Sequence, residues 1–586
     1  MRQWMVAAKK ADFYAIAEKF HVDPVVARII RNREVIGEKN IRIYLGGNLS
    51  DLSDPHQMKD MDRLVEILAQ KIRKQVHIRI IGDYDVDGVT SSHLFLTALR
   101  RVGAKVDVVI PHRIQDGYGL SLHLLQQAKE DGVDTILTCD NGIAAIDEIA
   151  WAKAQKMTVL VTDHHAVPFE EHEGRRTEKK SLADAVVNPH QQDCGYPYKE
   201  LCGAGVAWNV IRVLYENYDM DKREAEDLLD FVAMATVCDV MSLTGENRIL
   251  VKEGLKRIRH TKNIGLQALM QACNVQPENI SAYHFGYVLG PCVNATGRLD
   301  TARHALRLFE TEQETEAEEI ARDLVDLNQE RKELTLQGVE MAKKLCEEGG
   351  YENDPILVLF LPDVHESIAG LIAGRIREMY NRPVFVLTRG EEGVKGSGRS
   401  TENYSMYENM CGCAELFTKF GGHPMAAGLS LPEENVEKFR RKINENCPLT
   451  VEEVCPDIHI DMAMPVGYAS TELVHQFALL EPFGKDNPSP LFADRNLSIS
   501  RMWVIGKNRN VLRMSVLSEY GQPVPVIFFG DVETLFAYFT EKFGQEEVEN
   551  ALHGRKNRIL FSMVYTAKID FYQGNENLQL EMKYYR

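Results

Sequence analysis

Between residues 77 and 190, short β-branched runs alternate with helical stretches, and most of the runs end in a cluster of acids or histidines. The runs are 77–81, 105–110, 134–138, 157–161 and 184–187; the helical stretches are 89–101, 120–129 and 143–155. Strand-helix alternation leaves one main solution, a parallel sheet with helices on both faces. Ligands of such sheets bind beyond the carboxyl ends of the strands. There the chain places Asp83-Tyr84-Asp85-Val86-Asp87-Gly88, Cys139-Asp140-Asn141-Gly142, Asp163-His164-His165 and Asn188-Pro189-His190. A fifth group, Cys238-Asp239, lies in the apolar helical stretch 231–240. Ionised carboxylates are costly to bury unless something neutralises them. A pair of divalent cations is the simplest neutraliser.

The chain has 586 residues, too many for one core, so about three or four domains are expected. No run of ~18 apolar residues is present, so no membrane span is expected. The N-terminus lacks the apolar stretch of a secretory signal. The eleven cysteines are scattered, and Cys411-Gly412-Cys413 has no matching pair. Neither a zinc site nor a disulfide framework is therefore expected, and reduced thiols in a cytoplasm fit best. The net charge of −18 argues against a phosphate-rich partner, unless cations absorb the acids and the basic groups are local.

In 83–88 the acids alternate, and Gly88 permits a turn into a helix expected from Val89. That turn leaves Asp85 and Asp87 free to converge on one cation. A calcium loop of the EF-hand kind is excluded, because the position that would need glutamate is Leu94. Asp140 and Asp163-His164-His165 end two further strands. Carboxylates with one or two imidazoles and no thiolate suit manganese or magnesium rather than structural zinc. Two such cations ~3.5–4 Å apart are the usual engine for in-line attack on phosphorus.

Residues 312–348 read as one long helix rich in Glu, Ala, Leu and Lys. Such a helix often bridges domains. A second α/β pattern follows: strand 355–360, helix 367–379, strand 383–387. Then come the glycine motifs Lys395-Gly-Ser-Gly-Arg-Ser400 and Gly421-Gly-His-Pro-Met-Ala-Ala-Gly428. Gly396, Gly398, Gly421, Gly422 and Gly428 are expected to let backbone amides approach phosphates. Arg298, Arg375 and Arg399 are candidate phosphate clamps, with Ser397 as a further donor. Beyond 455, five or six strand candidates with a helix at 532–543 fit a small OB-like barrel. Residues 485–513 hold six basic and two acidic residues. Arg501, Lys507, Arg509 and Arg513, with Trp503 and Phe492, read as a basic ribbon for single strands.

The 83–88, 139–142, 163–165 and 236–240 motifs resemble those of the DHH phosphoesterase superfamily, and 421–428 resembles that of its DHHA1 partner domain. Asp116-Gly-Tyr-Gly-Leu120, Asn294-Ala-Thr-Gly-Arg-Leu-Asp300 and Pro482-Phe-Gly-Lys-Asp-Asn-Pro488 narrow the likeness to its branch of single-strand-specific 5′→3′ exonucleases. The resemblance implies an α/β protein: a parallel-sheet DHH domain joined by a long helix to a smaller α/β DHHA1 domain, plus a C-terminal OB-like barrel. Its divisions would be an N-terminal helical segment 1–75, a catalytic domain 76–305, a connecting helix 306–350, a DHHA1 domain 351–455 and a nucleic-acid-binding domain 456–586. Asp85, Asp87, Asp140, His164 and Asp239 would ligate Mn2+ or Mg2+, with Asp83, Asp163 and His165 supporting or joining them. Arg113, Ser397 and Arg399 would hold a 5′-phosphate, and Arg298 and His423 the phosphate being cut. Single-stranded DNA, a single-strand-binding protein and a RecQ-type helicase are the implied partners of a cytoplasmic monomer. A superfamily histidine is replaced here by Ile81, which removes one implied ligand, and His365-Glu-Ser-Ile-Ala-Gly370 also departs from the pattern. The alternative substrates of the same chemistry are short oligoribonucleotides or cyclic dinucleotides.

Overall fold

The computed structural model describes residues 3–113, 116, 119–172, 175–390, 393–506, 509–572 and 574–586. Gly117, Tyr118, Gly174 and Lys507, singled out in the sequence, lie outside the described residues. The chain divides into two compact units, one of residues 52–241 and 249–456, the other of 3–51, 242–248 and 457–586.

The first unit opens on the expected parallel sheet. Its strands are β1 (His77–Ile81), β2 (Lys105–Val109), β3 (Thr135–Cys139), β4 (Thr158–Thr162) and β5 (Ala185–Val187), in the order β2-β1-β3-β4-β5. All neighbours are parallel. The order reverses at β1, so a crevice opens between the ends of β1 and β3, where doubly wound sheets bind ligands. Helix α1 (Val86–Arg101) starts three residues before the expected Val89, because the Asp85 side chain accepts from Gly88 N–H and caps it. The charged insertion after β4, expected to be a loop, carries an antiparallel hairpin of Phe169–His172 and Arg175–Glu178.

Helices α2 (Gly203–Asn217), α3 (Leu229–Cys238) and α4 (Gly290–Leu299) follow, then the long helix α5 (Glu314–Glu348). Next come strand β6 (Leu357–Phe360), helix α6 (Glu366–Tyr380) and strands β7 (Val384–Gly390), β8 (Gly393–Arg399), β9 (Lys419–His423) and β10 (Ala426–Leu431). The second sheet runs β9-β10-β8-β7-β6. Only β6 and β7 are parallel neighbours; the rest are antiparallel. Both glycine motifs therefore lie in strands, not in loops that cradle phosphate.

The second unit holds strands β11 (Phe492–Ile505), β12 (Val511–Leu517), β13 (Pro523–Phe529), β14 (Leu560–Tyr572) and β15 (Asn575–Tyr585). They pair in the order β11-β12-β13-β15-β14, and β14 pairs back to β11. Three N-terminal helices share this core: Val25, Val26, Ile29 and Ile30 are buried in one cluster with Phe477 and Phe492. Trp4–Val6 pairs in parallel with Ile458–Ile460. The expected N-terminal segment is thus divided, with residues 3–51 in this unit and helix Met61–Arg73 in the first. Within 482–488, Asn487 Nδ2 donates to the Leu480 and Pro482 carbonyls, and Asn487 Oδ1 accepts from Tyr44 OH at 2.8 Å. That motif organises the unit's core.

Candidate active site

The turn after β1 carries the first acids inward. Asp83 and Asp87 are buried. Both Asp87 oxygens accept N–H groups at the start of α2, from Gly203 at 2.6 Å and Ala204 at 2.7 Å. A helix N-terminus stabilises a carboxylate in this way. Gly203 is required sterically, since a Cβ there would lie 2.6 Å from the Asp140 side chain. Asp140 itself, after β3, has a left-handed φ of 63°, a conformation stored at functional positions.

Three overlapping groups result: Asp83, Asp85 and Asp140; Asp87, His164 and Asp239; and Asp140, His164 and His165. Within each, candidate ligand atoms lie within 4.8 Å of one another. His164 Nε2 is 3.1 Å from Asp140 Oδ1, 3.6 Å from Asp239 Oδ2 and 3.7 Å from Asp87 Oδ2. Asp83 thus falls within one of these candidate groups.

Asp163 does not join. Its Oδ1 accepts from the backbone N–H of His164 and His165 and lies 2.8 Å from His165 Nδ1; its Oδ2 accepts from Ile143 N–H. These contacts tie Asp163 to both histidines of the pair. Asn188 contributes as well, donating from Nδ2 to the His165 carbonyl at 2.9 Å. Ile81 is buried in β1 and offers no ligand.

The electrostatics favour cations. Burial and repulsion from neighbouring carboxylates hold Asp83 and Asp140 well above the ordinary carboxylate range and raise Asp85. Burial pushes His164 down, towards the neutral form that ligates metals. Burial opposes protonation of His165, but its bond to Asp163 together with the charges of Asp163, Asp239 and Asp87 outweighs this and lifts it to about 9. Asp83 Oδ1 and His164 Nε2 are buried without a hydrogen bond, an arrangement costing about 1–3 kcal/mol for each idle group. Oxygen-rich, thiolate-free groups of this kind fit magnesium or manganese.

Beside the acids lies a pocket of about 480 Å³ lined by Tyr84, Arg113, Arg298, Ser397 and Arg399 among others. The Arg113 guanidinium sits 5.0 Å from the Tyr84 ring centroid. Arg298 donates to the Ser367 carbonyl at 2.7 Å, and Arg399 to the Gly398 carbonyl at 2.7 Å. Burial, with Arg113, Arg331 and Arg399 nearby, lowers Arg298 to about 9. It stays charged at neutral pH, and the crowding of like charges suits an anion.

The period of β8 explains the glycines. Lys395, Ser397 and Arg399 line the pocket. The missing side chains of Gly396 and Gly398 face the core, where a Cβ would lie 2.4 Å from Leu387 Cδ2 and from Met406 Sδ respectively. Gly421 and Gly428 are register partners with open space over them, so they form a bare floor.

One expected phosphate ligand is elsewhere. Arg375 lies on the solvent side of α6, 67% exposed, with Glu378 3.4 Å away; it is five residues from the pocket-lining Gly370, which turns it to another face. His423 is exposed at the end of β9 and is not among the pocket residues. His365 caps α6. In the second unit Trp503 is 37% exposed with the Arg501 guanidinium 5.7 Å from its ring, and Arg513 is its register partner. Phe492 is fully buried and cannot stack on a base.

Sequence reasoning missed Tyr84, Ser367, Lys395 and Asn294, whose Oδ1 accepts from Val86 N–H at 3.2 Å. Tyr84 had a signal, its place between two acids, and Lys395 and Asn294 each head a motif that the sequence singles out; Ser367 had none beyond polarity.

The DHH family N-terminal domain matches residues 77–236, the DHHA1 domain 353–447 and the RecJ OB domain 460–584. The single-stranded-DNA-specific exonuclease RecJ of Haemophilus influenzae is 32% identical, over 96% of each chain. Its Bacillus subtilis namesake is 33% identical over 87% of this chain, which spans 63% of that protein's length. The Escherichia coli protein is 31% identical over 95% of each chain. The fold matches RecJ of Thermus thermophilus in complex with Mn2+, with a TM-score of 0.79, 24% identity, and coverage of 100% of this chain and 79% of that one. An exonuclease RecJ bound to manganese matches with a TM-score of 0.57 and 32% identity, covering 66% of this chain and 94% of that one. With three domains matched in order and relatives above 30% identity along nearly their whole length, this chain belongs to the RecJ family.

Proposed function

We propose that this chain is an exonuclease, dependent on Mn2+ or Mg2+, that removes mononucleotides from the 5′ end of single-stranded DNA. One observation carries the reading. Tyr84 lines the cationic pocket and stands between Asp83 and Asp85 in the turn, so the pocket opens beside the acid groups. A strand whose terminal 5′-phosphate lies among Arg113, Arg298, Ser397 and Arg399 would present its first phosphodiester to those acids. Bound divalent cations there would supply charge neutralisation and an acidified attacking water. Asp83, Asp85, Asp87, Asp140, His164 and Asp239 would hold them. Asp163 holds a proton on His165 Nδ1, close to the reacting centre. In the second unit, Arg501, Trp503 and Arg513 supply a stacking and charged strip for the strand.

The name of the relatives supports single-stranded DNA as substrate. A cytoplasmic setting fits the free thiols, and among the described residues no helix is long and apolar enough to cross a membrane. A single-strand-binding protein and a RecQ-type helicase stay as proposed partners on family resemblance. The test is digestion of single strands with Mn2+, comparing 5′-phosphate with 5′-hydroxyl ends. Mononucleotide release from long 5′-phosphorylated strands is expected. Activity confined to dinucleotides or cyclic dinucleotides would overturn the reading.

A further inference from the structure

Two thiols outside the site face each other. Cys273 Sγ and Cys292 Sγ are 3.8 Å apart. Cys273 caps helix Ile264–Ala272 and is half-buried, while Cys292 is buried on α4. Neither belongs to the acid groups or lines the phosphate pocket. Yet α4 is the helix that braces both. Asn294 receives Val86 N–H at 3.2 Å, and Arg298 reaches the Ser367 carbonyl at 2.7 Å. Gly297 packs so closely on the Tyr84 turn that a Cβ would lie 2.4 Å from the Tyr84 carbonyl oxygen. Cys292 is tied to α5 as well: Asn328 Nδ2 donates to its sulfur at 3.4 Å, and Asn328 Oδ1 takes two bonds from the Arg331 guanidinium at 2.9 and 3.1 Å.

We propose that Cys273 and Cys292 are an oxidisable dithiol whose disulfide restrains α4 and thereby lowers turnover at the neighbouring site. The oxidant class is a hydroperoxide. The Cys273 thiolate attacks the outer peroxide oxygen, the O–O bond breaks, and water or an alcohol leaves. Cys273 is then a sulfenic acid. The Cys292 sulfur attacks it, the S–S bond forms, and the departing hydroxide takes the Cys292 proton as water. Two thiols lose two electrons and two protons, and the peroxide gains them. Cys273 reacts first because it is the more accessible. Its hydrogen bond with Cys292 holds its thiol below the ordinary value against burial, and Lys332 adds to this. A disulfide needs sulfurs about 2.05 Å apart, so this pair must close by roughly 1.8 Å from 3.8 Å. Where Cys292 makes that movement, it draws the sulfur from Asn328 Nδ2 and loads α4. Displacements of about 1 Å can cost as much as ~100-fold in rate.

The dithiol chemistry stands without the proposed function; only its effect on strand cleavage rests on it. The full chain is reduced, treated with hydrogen peroxide and digested without reduction for mass spectrometry. A peptide pair joined through Cys273 and Cys292, two hydrogens lighter and released by dithiothreitol, is expected, and its absence from Cys273→Ser. If exposed Cys411 oxidises while both thiols stay separately alkylatable, the dithiol is refuted. Hydrogen exchange across 290–299 should slow in the oxidised protein whether or not it cleaves DNA. Cleavage of a 5′-phosphorylated strand should fall by roughly tenfold or more, recover on reduction, and hold steady in Cys273→Ser. A joined pair with unchanged exchange and unchanged cleavage would refute the coupling to α4.

Discussion

The two sheets of the first unit display their polar groups by different rules. In the parallel sheet, Asp83, Asp140 and Asp163 stand just beyond strand ends, where the backbone leaves the ladder. In the mostly antiparallel sheet, Ser397 and Arg399 stand inside β8 at alternate positions. The first arrangement gathers ligands as short contiguous motifs, because each loop carries its own cluster. The second scatters them, because every other residue turns to the core. Contiguous acid motifs therefore keep their members together in the fold. Motifs inside strands are read with half of their residues assigned to the wrong face.

Three measurements test this contrast. The largest effect is expected for Asp140→Ala, which removes a member of two ligand groups. Turnover should fall on the order of 10³-fold or more with the circular-dichroism melt retained. Near-normal cleavage by that variant would break the assignment of the strand-end site. The strand-interior site is tested by a pair. Arg399→Ala loses a charged pocket donor, worth about 1.5–3 kcal/mol. It should shrink the preference in kcat/KM for 5′-phosphate over 5′-hydroxyl ends by roughly tenfold or more. Arg375→Ala, on the outer face of α6, should change that ratio less than about twofold. Equal effects of the two would erase the distinction between the faces.

A last measurement concerns a buried histidine of the core. His93 on α1 is buried against Phe231 and Phe309, with ring centroids at 4.5 and 5.8 Å, and burial lowers it to about 3. A base depressed in the folded state contributes stability that is present above its unfolded value of about 6.5 and is lost as pH falls towards 3. Between pH 7 and 5 the parent should lose about 2 kcal/mol from this group, and His93→Gln should not. Urea midpoints of the two proteins at both pH values measure it; a gap that does not change with pH would sink the assignment.

Much of this was legible. All five parallel strands coincide with the β-branched runs to within a residue or so, because the inner strands β1, β3 and β4 are buried almost throughout and so keep a β-branched, largely apolar run. The long helix begins two residues later than read, at Glu314. Less legible was the division of labour among like residues. Asp163 and Asp140 both end strands, yet one is saturated by N–H groups and the other faces His164. Nothing local separates them. The Lys395–Ser400 motif misled because close approach to phosphate and close packing under Phe385 demand the same residue. Residues 1–75 were legible only as helical, and nothing local announced that Val25, Val26, Ile29 and Ile30 pack with Phe477 and Phe492.

By itself, the sequence determined the element order, the parallel sheet and the presence of a carboxylate-rich cation site. Periodicity and burial cost act over a few residues and leave a local trace. The tertiary structure alone decided which acids converge, which arginines enter the pocket and where the first fifty residues pack. Those outcomes depend on strand order, on helix phase and on pairings such as Trp4–Val6 with Ile458–Ile460. Contacts between segments so far apart in the chain are set by the summed packing of the whole core, and no single stretch records them.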